Sequence, residues 1–185
     1  DLPPDRFLNA ELAQLAFQLR VLEMAEDPGV PLAERLRYLA IVSANFDEFF
    51  AVRVGALKLA LLEGSTARSF DGLTARAQLE AITARVPPLL QRHALCAEQC
   101  LAAAAEAGVR VRRWDDLDPT ARAALTAYFE SQLLPVLTPR AVTMSPGHPF
   151  PMIPQFTLTF GVIVQDVRTG PVHFASLPIK SRLDR

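Results

Sequence analysis

Apolar residues recur with a helical period through the first hundred positions and then give way to alternation. Leu12, Leu15, Ala16, Leu19 and Leu22 form one stripe between Asn9 and Ala25, the spacing of an amphipathic helix. Asn9 is placed to cap it, and Asp27-Pro28-Gly29 ends it. Pro31 takes a first-turn position, where its missing N–H costs nothing, and Leu32, Leu36, Leu39 and Ala40 carry a second helix to about Ser43. Asn45-Phe46-Asp47-Glu48 reads as a fresh start. Asn45 can cap, Glu48 completes a capping box, and both acidic residues suit the positive end of a helix dipole. A third helix is predicted through Val52, Ala56 and Leu59 to Glu63, stopped by Gly64 in the left-handed conformation.

A polar loop from Ser65 to Gly72 leads to Thr74, which caps a long pattern from Ala75 to Ala107, stopped by Gly108. Pro87-Pro88 interrupts that pattern. Interior prolines cost a helix about 3 kcal/mol, so a break into two helices is predicted there. After Gly108 the character changes. Val109-Arg110-Val111-Arg112 alternates like a short strand, and Asp118-Pro119 opens a helix through Leu125, Phe129 and Leu133. Pro135 to Pro154 holds six prolines, too many for a regular element. Phe156 to Val164 and Val172 to Leu177 are β-rich runs joined by a turn at Asp166 to Gly170, a hairpin pattern. The expected fold is therefore α+β: an all-α helical bundle over residues 1–107, then a smaller α/β domain over 108–185.

Composition narrows the function classes. Half of the 185 residues are hydrophobic and 21% are charged, enough for a true core. The formal charge of −1 carries no basic excess of the kind that binds nucleic acid non-specifically, so a polyanion would have to meet local Arg and Lys clusters. Two cysteines fit a reducing cytoplasm rather than a stapled secreted scaffold. No run approaches a membrane span, and the first residues lack a signal pattern. The chain has no initiator Met and stops at Lys180 to Arg185 without a closing element, so both ends are expected to be boundaries within a longer polypeptide.

Several segments, in order, resemble the polyphosphate kinase family, the long histidine-dependent type. They are Arg6-Phe-Leu-Asn-Ala-Glu-Leu12, Leu15-Ala-Phe17, Arg20-Val-Leu-Glu23, Ala25-Glu-Asp-Pro28 and Pro31-Leu-Ala-Glu-Arg-Leu36. The densest is Leu39-Ala-Ile-Val-Ser-Ala-Asn-Phe-Asp-Glu-Phe-Phe50, followed by Val52-Arg-Val54. Phe70-Asp-Gly-Leu73, Pro135-Val-Leu-Thr-Pro139 and His148-Pro-Phe-Pro151 continue the series. The chain departs from the family at Ala13-Gln14 (usually Ser-Trp), at Gln18-Leu19-Arg20 (Asn-Glu-Arg), at Phe46 (Leu) and at Gln155 (Asn).

The resemblance implies a helical N-terminal domain and a partial head domain, with two phospholipase-D-like catalytic domains beyond them. It implies reversible transfer of the ATP γ-phosphate to polyphosphate, with ADP as the leaving group, through a phosphohistidine with Mg²⁺. The histidine and the metal ligands would lie outside this chain, which alone is expected to be inactive. His93, His148 and His173 match none of them. It also implies a homo-oligomer built through the head domain. One position carries over: the family's nucleotide-facing Asn matches Asn45. A carboxamide suits adenine because it offers a donor and an acceptor in one plane.

Each candidate has a plainer reading. Asn45 as a helix cap and Asn45 as a purine contact are compatible, since backbone N–H groups face outward at a helix start. Asp47 and Glu48 point about 100° apart on a helix, so capping suits them better than acid–base or metal work. His93, Cys96 and Cys100 share a helical face, but a zinc site needs a fourth ligand and buried small cysteines are the ordinary outcome. Arg110, Arg112 and Arg113 read first as a solvated face, and His148-Pro-Phe-Pro as a rigid linker. Of Arg20, Arg35, Arg37, Arg53 and Lys58, the last two continue the helix of Asn45 and are the candidates to flank it toward phosphates. The rival function is a non-catalytic helical module whose amphipathic stripes serve a protein partner.

Overall fold

The computed structural model describes residues 6–142, 153, 155–165, 170 and 172–179. The chain divides into two compact units, Asp1–Val111 and Arg112–Arg185. The first holds α1 (Ala10–Glu26), α2 (Leu32–Glu48), α3 (Gly55–Leu62) and α4 (Ala75–Glu106). Asn9 caps α1 as expected, its Oδ1 accepting from the Glu11 and Leu12 N–H groups at 3.0 Å each. Asp27 ends it, its carboxylate accepting from the Gly29 N–H at 2.8 Å. Pro31 occupies the cap of α2 rather than its first turn, and its carbonyl accepts from the Arg35 N–H at 3.0 Å.

No helix begins at Asn45. α2 runs unbroken to Glu48 and passes into a π-helical turn, Phe49–Val54, before α3. Burial explains the outcome. Leu39, Val42, Phe46 and Phe49 form one buried stripe at spacings of three, four and three. Keeping the helix continuous buries Phe46 and Phe49 together, at about 1.5–3 kcal/mol each, which outweighs the ~1 kcal/mol of a new cap. Regular pitch would bring Arg53 to this face next. Instead the Gly55 N–H reaches back five residues to the Phe50 carbonyl, and the extra residue brings Val54, 6% exposed, into the core. Arg53 turns outward, and α3 ends at Gly64, which is left-handed (φ 68°) as expected.

α4 is also continuous, across Pro87 and Pro88. The buried positions Ile82, Val86, Leu89, Cys96 and Cys100 keep one helical phase through the prolines. Both prolines lie on the exposed side, as do Thr83 and Ala84, whose carbonyls lose their N–H partners to the two rings. Water can serve those carbonyls, so the missing bonds cost less than in a core. The Thr83 hydroxyl donates to the Leu79 carbonyl at 2.8 Å, a contact that accommodates helix bending. The core of this unit joins α1, α2, the π turn and α4.

Val109–Arg112 forms no strand. The segment belongs to no helix or strand, Val109 and Val111 are 68% and 79% exposed, and alternation without a partner edge makes no ladder. In the second unit Asp118 caps α5 (Pro119–Tyr128), accepting from the Ala121 N–H at 2.8 Å. A π turn, Phe129–Leu133, and a 3₁₀ turn, Leu134–Val136, follow. The proline-rich segment contains a regular element after all, β1 (Arg140–Val142), while His148-Pro-Phe-Pro lies outside the described residues.

The expected β-runs pair antiparallel as β2 (Thr159–Gln165) and β3 (Val172–Pro178), with the turn between them largely outside the described residues. β1 adds to the other edge of β3, giving the order β1-β3-β2. A Cβ at Gly161 would fall 3.1 Å from the Phe174 ring, so glycine there lets Phe174 lie across β2. α helices with a small antiparallel sheet confirm the α+β class.

Candidate functional site

Asn45 sits in the body of α2, half buried against α1. Its Nδ2 donates to Gln18 Oε1 at 3.0 Å. Gln18 is fully buried, and its Nε2 has no hydrogen-bond partner among the described residues. Neither role foreseen from a helix start, side-chain cap or exposed amides at an N-terminus, applies to Asn45. The amide is placed by its neighbour on α1.

Arg53, in the π turn, donates to Glu11 Oε2 at 3.3 Å, with the arginine side chain 44% exposed. That pair uses one of five guanidinium donors, and the others have no partner among the described residues. Lys58 is exposed on α3. At 1.5 Å per residue, the backbone positions of Arg53 and Lys58 lie about 12 Å and about 20 Å along the rod from Asn45. Arg53 is thus the nearer cation. One turn along α1 from Gln18, the α1–α2 seam opens into a cavity of about 520 Å³ lined by Phe17, Arg20, Val21, Glu23, Met24, Asp27 and Tyr38. Asn45 does not line it.

The other candidates go to structural duty. His93 Nε2 lies 3.0 Å from the Leu39 carbonyl and 3.2 Å from the Ser43 hydroxyl, joining α4 to α2. Cys96 and Cys100 are buried, and Cys96 Sγ donates to the Ala25 carbonyl at 3.3 Å. Burial pushes the Cys96 thiol up, and Cys100 beside it adds to that, so Cys96 is not an activated nucleophile. Arg110, Arg112 and Arg113 are exposed outside any helix or strand, and His173 is exposed on β3. Asp47 and Glu48 are exposed, and no three His, Cys, Asp or Glu side chains converge on a metal position among the described residues. The described residues therefore do not fit Mg²⁺.

Two features escaped the sequence reading, and each left a signal. Gln18 interrupts the buried series Leu15, Leu22 and Ala25 at a core position, where a polar residue requires a partner. The π turn shows as a one-residue slip between Phe49 and Val54 in an otherwise regular apolar period.

Comparison with known proteins places these helices. Residues 7–112 match the model of the polyphosphate kinase N-terminal domain, and residues 120–185 match that of the polyphosphate kinase middle domain. The chain is 45% identical over 185 residues to the polyphosphate kinase of Streptomyces coelicolor, covering all of this chain and 24% of that protein. It is 43% identical over 186 residues to that of Mycobacterium avium, covering all of this chain and 25% of the relative. The crystal structure of polyphosphate kinase from Porphyromonas gingivalis superposes with a TM-score of 0.65 at 25% identity, covering 91% of this chain and 24% of that one. The chain thus spans about a quarter of the length of the relatives it matches. With both domain models matched in order, the chain belongs to the polyphosphate kinase family and is its N-terminal part.

Proposed function

We propose that this chain is the nucleotide-side portion of an enzyme that transfers the γ-phosphate of ATP to polyphosphate, with the phosphohistidine and Mg²⁺ supplied by segments outside it. The observation that carries the reading is the ordered match of two adjacent polyphosphate kinase domains across 7–112 and 120–185. In this reading the N-terminal helices wall the nucleotide site and Asn45 meets the adenine. Arg53, held by Glu11, flanks the phosphates, and Lys58 lies further along the same rod. The second unit would contribute to a homo-oligomer of the full-length protein. Polyphosphate and ADP complete the set of ligands.

The test is Asn45→Ala in the full-length protein. The substitution removes the Gln18 bond and strands a buried amide, so stability should fall by about 1–3 kcal/mol. The KM for ATP should rise several-fold at a temperature where the variant remains folded. An unchanged KM beside a lowered melting temperature would leave Asn45 a purely structural residue.

A further inference from the structure

We infer that Phe17 is the residue on which the nucleobase stacks, with the cavity between α1 and α2 as its pocket, an inference that rests on the nucleotide-facing reading of Asn45. Phe17 precedes Gln18 on α1, and Gln18 bonds Asn45 at 3.0 Å across the seam. One side of that seam is taken up by α4. There Leu12 and Leu19 line a separate cavity with Pro88, and the Leu39 carbonyl and Ser43 hydroxyl meet His93. The other side is open. Tyr38 lines the α1–α2 cavity with Phe17 and Val21, and Asn45, seven residues on from Tyr38, lies two turns along the same side of α2.

The ring is available to a ligand. Phe17 is 50% exposed, and no aromatic pair among the described residues includes it. The cavity beside it, about 520 Å³, has the size of a small-molecule site, with Val21, Met24 and Tyr38 as apolar walls and Arg20 and Glu23 adding charge. A purine has the same division, apolar on its two faces and polar along its edges. Phe17 is the cavity residue next in sequence to the Gln18–Asn45 bridge, so a base whose edge meets the carboxamide reaches this ring before any other wall. Stacking needs only a π face, which every base has. Phe17 therefore adds affinity without choosing between purines, while the Asn45 carboxamide reads the base edge.

Position 17 is varied in the full-length protein, with ATP as the phosphate donor and GTP as a competing nucleotide. Phe17→Ala should raise the KM for ATP and the inhibition constant of GTP about fivefold or more, by factors that agree within about twofold. The melting temperature should stay in place, since half of the side chain is already in water. Phe17→Leu keeps apolar bulk without the π face and should move both constants the same way, so it serves should alanine disturb the fold. Phe17→Trp should retain the parent KM, and its added fluorescence should be quenched by ATP but not by tripolyphosphate, which has no base. An unchanged KM in Phe17→Ala and Phe17→Leu, with Asn45→Ala still raising it, overturns the inference and leaves the Asn45 assignment standing. A loss confined to ATP overturns it as well, because a stack does not discriminate. An unchanged KM in all three variants overturns both readings.

Discussion

The Asn9 side chain donates to Gln78 Oε1 at 3.0 Å, joining the start of α1 to the first turn of α4, and both residues are only 7% exposed. The same amide caps α1 through its oxygen and reaches Asp71 Oδ1 at 3.3 Å. One side chain thus serves a helix end, a loop and a second helix. Asn9→Ala should lose the cap and strand Gln78, for about 2–3 kcal/mol, read as a lowered urea midpoint. A loss under about 0.5 kcal/mol would mean the cap is dispensable.

Asp71 gives this corner a pH dependence. The Ser69 hydroxyl is the chief cause holding its carboxyl below the ordinary value of 3.8, and the Asn9 amide helps. A depressed folded-state pKa contributes stability above the unfolded value, and that contribution disappears as pH falls through the folded one. NMR titration should place the Asp71 midpoint below 3.8, and Asn9→Ala should move it back up. A midpoint at or above the ordinary value would remove this pH dependence.

The π turn is tested by two neighbouring valines. Val54 is 6% exposed and Val52 is 56% exposed. Val54→Ala should cost about 2 kcal/mol, while Val52→Ala stays within about 0.5 kcal/mol. Regular helical pitch would turn Val54 away from the core, so equal effects of the two substitutions would contradict the turn.

Pro88 stands on the outer side of α4. Pro88→Ala restores an N–H for the Ala84 carbonyl but frees the unfolded chain, leaving a net gain of about 1–2 kcal/mol. A raised melting temperature is the expected result. A lowered one would show that the ring itself packs usefully, since Pro88 also lines a cavity between α1 and α4.

Local chemistry that had no competitor was legible in the sequence. Asn9, Thr74 and Asp118 cap their helices because nothing else among the described residues claims the side-chain oxygens that do so, and Gly64 stops α3 for want of a Cβ. The β2–β3 hairpin followed from its two β-rich runs. Reading failed where a distant surface outbid a local rule. Asn45 offered a good cap, yet Phe46 and Phe49 had more to gain from an unbroken helix. Pro87 and Pro88 signalled a break, yet the core on the opposite side held the helix together. Val109–Arg112 had the right alternation and no edge to join. At the candidate site, Asn45 was marked only by the resemblance of Leu39 to Phe50 to the polyphosphate kinase family, since the residues by themselves suggested a helix cap. Its partner Gln18, 27 positions away, emerges only when α1 and α2 are packed.

The widened turn after α2 has one more consequence. Take away a single residue, Ala51 for example, and Leu39, Val42, Phe46, Phe49, Val54, Leu57 and Leu61 fall at alternating steps of three and four, an ordinary helix with the same inward face. The interior therefore has no use for the supernumerary residue. Whatever keeps it in place belongs to the outward side of the rod, where Arg53 meets Glu11 and the surface beyond Asn45 begins.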